Sequence, residues 1–153
     1  ALRDELFAAK RGQGATLNGA AIVVSEAKDL SRALVGTGFS YASEERASAA
    51  ALLPAILPRV RDIRRHGAAS LDLAWVACGR LDAFYESGLA PWDRAAGRLL
   101  VIEAGGRVDV MPALGSSGEG VIVATPGVFD GVRDLMDRAL GETAESHRAR
   151  LAR

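Results

Sequence analysis

The stretch Pro91-Trp92-Asp93-Arg94-Ala95-Ala96-Gly97-Arg98-Leu99-Leu100-Val101-Ile102-Glu103-Ala104-Gly105-Gly106 constrains this chain more than any other part of it. Pro91 cannot continue a preceding helix, but it fits the first turn of a new one. From Ala95 to Ala104, small and large apolar residues alternate at helical spacing. Gly105-Gly106 stops the helix, because glycine tolerates the left-handed position just past a helix end. Asp93 therefore presents a carboxylate at a helix N-terminus. An Asp there can cap the helix. It can also hold a cation, with the helix N-terminus nearby to attract phosphate.

The rest of the chain reads as strands alternating with helices. Residues 4 to 10 are strand-like and lead into a turn at Arg11-Gly12-Gln13-Gly14. Asn18-Gly19 between Ala15-Leu17 and Ala21-Val24 is a strong hairpin signal. Ala33 to Gly38 reads as a buried strand ending in glycines. Glu44 to Ile56 is an Ala/Leu-rich helix that kinks or ends near Pro54. Arg61 to Arg65 is a short strand. Ala69 to Cys78 is a helix with Gly79 at its end, Ala83 to Glu86 a strand, and Pro91 to Ala104 the third helix. Arg107-Val110 and Val121-Ala124 are strands joined by a glycine- and serine-rich loop, and Val128 to Leu140 is the last helix. This alternation predicts an α/β layered domain. Residues 1–140 form the folded part, and 141–153, polar and charged, are expected to fray or be disordered.

At 153 residues the chain can bury one core. Nineteen basic residues balance nineteen acidic ones, so nothing in the charge favours nucleic acid or an anionic membrane. The single cysteine, Cys78, excludes an internal disulfide framework and argues against a cysteine-based zinc site. No apolar run reaches the roughly 18 residues of a membrane span, and the first residues of this sequence do not show a signal-peptide pattern. Cytoplasm is the default compartment. Gly12-Gln13-Gly14 is not a phosphate loop, because it lacks the Lys-Ser/Thr ending. His66 reads as a surface or core residue rather than a general base. Asp72 and Asp82 read as structural acids, and Arg64 and Arg65 as partners for acids near the site or across an interface. Trp75 and Trp92 read as core or interface packing.

Four blocks, in order, resemble the inositol monophosphatase family. They are Glu5-Leu6-Phe7-Ala8-Ala9 with Asn18-Gly19; Arg65-His66-Gly67-Ala68-Ala69-Ser70-Leu71-Asp72-Leu73-Ala74; Leu81-Asp82-Ala83-Phe84-Tyr85-Glu86 with Gly88-Leu89; and Pro91-Trp92-Asp93 through Gly106. The resemblance covers roughly residues 4 to 140. The family's first-half motifs, a Glu-Glu metal pair and an Asp-Pro-(Ile/Leu)-Asp-Gly-Thr loop, do not precede these blocks, and the chain contains no Asp-Pro pair. The expectation is a C-terminal half, contributing part of a layered α-β-α-β-α sandwich with a mixed sheet flanked by helices.

The resemblance implies a Mg2+-dependent, lithium-sensitive phosphomonoesterase. It would hydrolyse inositol monophosphate or a similar small polyol phosphate by in-line attack of a metal-activated water, and work as a homodimer without nucleic acid or membrane. It implies Asp93 as a metal ligand, Glu86 as acceptor of substrate hydroxyls, and Gly67, Ala68 and Ala69 as backbone lining of the substrate pocket. Read without it, Glu86 is a solvated strand-end charge and residues 67–69 are close-packed small residues. No catalytic residue is expected in this half, and the chain alone is expected to be inactive. The alternatives are a relative acting on histidinol phosphate, a nucleotide 3′-phosphate or fructose bisphosphate, or a non-catalytic fold or dimerisation module.

Overall fold

The computed structural model describes residues 4–114 and 118–151, with side chains described as far as Gly141. A three-stranded antiparallel sheet comes first: β1 (Phe7–Ala9), β2 (Ala15–Leu17) and β3 (Ala20–Ile22). Asn18 and Gly19 make its tight turn, both at positive φ, 51° and 83°. The Asn18 side chain fixes the approach to β1: its Oδ1 accepts from the Leu6 N–H at 2.7 Å and its Nδ2 donates to Asp4 O at 2.8 Å.

The remaining strands are β4 (Leu34–Thr37), β5 (Asp62–Arg64), β6 (Ala83–Glu86), β7 (Arg107–Met111) and β8 (Gly120–Ala124). They form a mixed five-stranded sheet in the order β5-β4-β6-β8-β7. β4 pairs in parallel with β5 and β6, while β8 runs antiparallel to β6 and β7. The helices are α1 (Ser43–Ala50), α2 (Leu53–Ile56), α3 (Ala69–Ala77), α4 (Pro91–Glu103) and α5 (Pro126–Leu151).

Period-two alternation sorts the large sheet's side chains onto two faces. Val35, Tyr85, Ile122 and Ala124 pack with Leu52 and Ile56, and with Val132 and Met136 of α5. Phe84, Val121 and Val123 pack with Leu73 and Val76 of α3 and with Leu100 and Val101 of α4. Ala15, with Phe7, Ala9 and Ile22, closes the far side of this second core. The order of layers is therefore helix, large sheet, helix, small sheet. Among the described residues no helix is long and apolar enough to cross a membrane.

The helix over Glu44 to Ile56 divides at Ala51-Leu52, just ahead of Pro54, which takes the second position of the short α2; this is the kink or end near Pro54 that the sequence predicts. The structure departs from the sequence reading in two places. The last helix runs past Leu140 to Leu151; residues 152 and 153 of the expected frayed tail lie outside the described residues. Trp92 is 81% exposed, so it is no part of this chain's core.

α3 and α4 touch at Gly97, where an added Cβ would stand 2.5 Å from Leu73 Cβ. That is backbone-proximal packing with little room to yield. Gly97→Ala is expected to destabilise the fold by about 1–3 kcal/mol despite alanine's better helix propensity. Thermal denaturation tests this; a melting temperature equal to or above wild type would show that the two helices can separate freely.

Candidate functional site

Where β4 ends, two glycines leave its surface bare. A Cβ on Gly36 would come within 3.3 Å of Asp72 Oδ1, and a Cβ on Gly38 would clash with the carboxyl group of Glu86. Glu86 closes β6 and is paired in register with Val121. Its side chain follows Phe84 onto the α3/α4 face, as the strand's alternation requires. Glu86 is thus not the solvated strand-end charge that the residue alone suggests. Burial pushes its carboxyl up to about 7, reinforced by the negative charges of Asp72 and Asp93 and opposed by Arg65.

Asp93 lies in the first turn of α4 and is exposed. Its expected role as helix cap does not hold: Pro91 takes the first helical position, so Ala90 is the N-cap, without a side-chain hydrogen bond. Among the described residues no hydrogen bond or ion pair engages the Asp93 carboxylate. The residue stands three positions inside the cap, where the helix dipole favours negative charge.

α3 begins in the same way. Gly67 is left-handed at φ 85°, Ala68 is an N-cap with no side-chain bond, and Ala69 is the first helical residue. Arg65 folds over Gly67, with its Nη1 2.7 Å from where a Cβ would stand. The structure therefore brings Glu86 and Asp93 within electrostatic reach of one another, and links residues 67–69 to them through Arg65 and Asp72. Asp72 is only 1% exposed, and its Oδ1 is 2.5 Å from Nδ1 of His66. Burial raises its carboxyl above the usual range, while His66 and Arg65 pull the other way. Reading Asp72 as merely structural missed this proximity. Nothing in the His66–Asp72 spacing announces it, because the contact spans a loop and a helix start.

Among the described residues no three His, Cys, Asp or Glu side chains converge as a metal cage. Magnesium takes oxygen ligands and commonly uses one or two carboxylates plus substrate phosphate and water. The unengaged, exposed carboxylate of Asp93 fits as one such donor, and the described residues do not complete the set. A cleft lined by Gly38, Ser40, Glu45, Ser87 and Gly88 opens beside Glu86.

A sequence model described as the inositol monophosphatase family matches residues 2–148. The Nus factor SuhB of Xylella fastidiosa is 54% identical over 108 residues, covering 70% of this chain and 39% of that protein. The inositol-1-monophosphatase SuhB of Mycobacterium tuberculosis is 48% identical over 114 residues, covering 74% of this chain and 39% of that protein. The solved structure of Mycobacterium tuberculosis SuhB superposes with a TM-score of 0.81 at 42% identity, covering 88% of this chain and 55% of that one. The chain thus spans well under two thirds of the length of each.

The raised Glu86 carboxyl has a consequence for stability. Between its ordinary value of 4.5 and about 7 the native state keeps a proton that the unfolded state has lost. Stability contributed by this group therefore falls as pH rises through that window and is level above it. Glu86→Gln is expected to gain on wild type in melting temperature from pH 5 to pH 8. A difference between the two proteins that stays constant over this range would show that Glu86 titrates normally.

Proposed function

Because the chain belongs to the inositol monophosphatase family, we propose that it supplies the C-terminal half of a magnesium-dependent phosphomonoesterase acting on inositol monophosphate or a similar small polyol phosphate. The observation that carries this reading is the pairing of two differently placed carboxyls. Asp93 is exposed and unengaged at an uncapped helix start, while Glu86 is half-buried against bare backbone at Gly38. Asp93 is suited to hold a cation. When bound, magnesium supplies neutralisation of phosphate charge and a lowered pKa for water.

Glu86 is suited to accept hydrogen bonds from neighbouring hydroxyls of a polyol, since a carboxylate offers two oxygens and several lone pairs. Gly67, Ala68 and Ala69 carry nothing larger than a methyl group, so a ligand can approach their backbone. The first N–H groups of α3, lacking a side-chain cap, remain available there as donors. The remaining carboxylates of a two-metal site belong to the first half of the family pattern. Under the same reading the protein works in the cytoplasm as a lithium-sensitive homodimer.

A second reading has one observation in its favour: the Xylella relative is named a Nus factor. In that reading the fold serves an assembly, with exposed Trp92 and Tyr41 as contact residues. The metal carboxylate separates the two, because a role in assembly does not need Asp93 ionised.

In the full-length protein, Asp93→Asn is expected to lower kcat by at least tenfold and to raise the magnesium concentration needed for half-maximal rate, with the fold intact by circular dichroism. Loss of a charged hydrogen-bonding or coordinating group at such a site typically costs about 1.5–3 kcal/mol. Wild-type rates at limiting magnesium would remove Asp93 from the metal site.

Glu86→Gln is expected to raise KM for inositol 1-phosphate by roughly ten- to a hundredfold, from the loss of a charge-assisted hydrogen bond. KM for an aryl phosphate without hydroxyls should stay near wild type. Equal losses on both substrates would place Glu86 at the metal or in folding instead.

A further inference from the structure

The turn that leads into α3 leaves backbone donors open. Ala68 O takes the N–H groups of both Leu71 and Asp72, at 3.0 and 3.1 Å, while among the described residues no hydrogen bond engages the N–H of Ala68, Ala69 or Ser70. Ala68 and Ser70 are exposed, and Gly67 is left-handed at φ 85°. A glycine leaves the backbone free to sample other conformations, so another contact must hold the turn. His66 supplies it. Its Nδ1 lies 2.5 Å from Oδ1 of Asp72, a hydrogen bond that spans the turn whichever partner carries the proton. Its ring stands edge-on to Trp75, centroids 4.6 Å apart at 67°. Asp72 and Trp75 lie three residues apart on α3, so one helix face holds the ring at two points. The anchor is itself fixed: Asp72 is 1% exposed, and its Oδ1 would stand 3.3 Å from a Cβ on Gly36.

We propose that the His66–Asp72 bond is a clasp that preorganises the turn at residues 67–69 for substrate, which makes His66 and Asp72 positioning residues. This rests on the reading of Gly67, Ala68 and Ala69 as lining of the substrate pocket. The clasp ties the residue before Gly67 to the first turn of α3, closing from the outside a loop whose backbone already folds back onto Ala68 O. Without it the entering chain is free to pivot about Gly67, and the open N–H groups converge for only part of the time. The apparent affinity of a ligand is its intrinsic affinity multiplied by the fraction of protein in the competent conformation, so loss of the clasp moves KM in one direction, upward. The chemical step is untouched, because the turn, once occupied, is the same. A role confined to folding would lower the amount of active enzyme instead, and with it kcat, at constant KM.

The test is steady-state kinetics of the full-length protein on inositol 1-phosphate, well below the melting temperature of each variant. His66→Phe keeps a ring against Trp75 and removes the hydrogen bond. It is expected to raise KM about three- to tenfold with kcat within about twofold of wild type, as for a turn that is competent only part of the time. His66→Asn, whose amide nitrogen takes the place of Nδ1, should restore the wild-type KM. Hydrogen exchange at the Leu71 and Asp72 amides, which both donate to Ala68 O, should quicken in His66→Phe and return to wild type in His66→Asn. A wild-type KM in His66→Phe would overturn the proposal. So would a fall in kcat at constant KM, or His66→Asn behaving like His66→Phe. If His66→Phe does not fold, His66→Ala makes the same comparison with His66→Asn. Ala68→Leu separates this inference from the reading beneath it: Ala68 is exposed and extended, so a larger side chain blocks approach to the turn and leaves the clasp in place. An unchanged KM in Ala68→Leu overturns both. A raised KM there beside a silent His66→Phe overturns this inference alone. No turnover of inositol 1-phosphate by the wild-type protein overturns the proposed function and this inference with it.

Discussion

Two absent side chains, one on β4 at Gly36 and one just past its end at Gly38, organise this molecule's candidate site. β4 is sandwiched between β5 and β6, and its α3-facing side would ordinarily carry apolar side chains into the second core. Gly36 and Gly38 leave that side empty, and the carboxyls of Asp72 and Glu86 fill the space. Any side chain at Gly38 would displace Glu86, and one at Gly36 would press on Leu81 and Phe84 as well as on Asp72. Where acids can sit in this fold is thus decided by backbone left bare at the mouth of the sheet.

Gathering acids there has an electrostatic cost, visible in the raised carboxyls of Asp72 and Glu86. Three negative groups share the neighbourhood of one guanidinium, Arg65. The helix starts offset part of that cost. α3 and α4 both begin without a side-chain cap, and their first turns carry Asp72 and Asp93, where the dipole favours anions. A site of this composition is poised for positive or hydrogen-bond-donating ligands. Strain of this kind commonly accompanies function rather than stability.

The scaffold around the site is tied down at a distance. Glu103, at the far end of α4, accepts the N–H groups of Gly12 and Gly14 at 2.8 and 2.9 Å, and those bonds hold its carboxyl below the usual range. The small sheet is thereby fastened to the same helix that presents Asp93. Asp82 plays a comparable part just before β6, accepting from the Leu34 N–H and the Ser25 hydroxyl at 2.7 and 2.6 Å. The structure thus bears out the reading of Asp82 as a structural acid.

Local chemistry alone determined much of this protein. Asn18-Gly19 had to turn, Pro91 had to open a helix, Gly79 and Gly105 had to end helices at positive φ, and the all-apolar run of β8 had to be covered on both faces. These are properties of a few adjacent residues, so they were legible, as was the family pattern that runs through them. The placement of Asp93 was legible to within a turn, but its identity as cap or free carboxylate was not, because that depends on which residue the helix takes as its first. The division of the helix near Pro54 was legible as well, and the structure adds that it falls at Ala51-Leu52, with Leu52 buried. Only the tertiary structure decided that Glu86 is half-buried, that Asp72 lies beside it, and that His66 reaches Asp72. Those relations join a loop, two helix starts and two strands. Their energies come from burial and charge across space, which the order of residues along the chain does not encode locally.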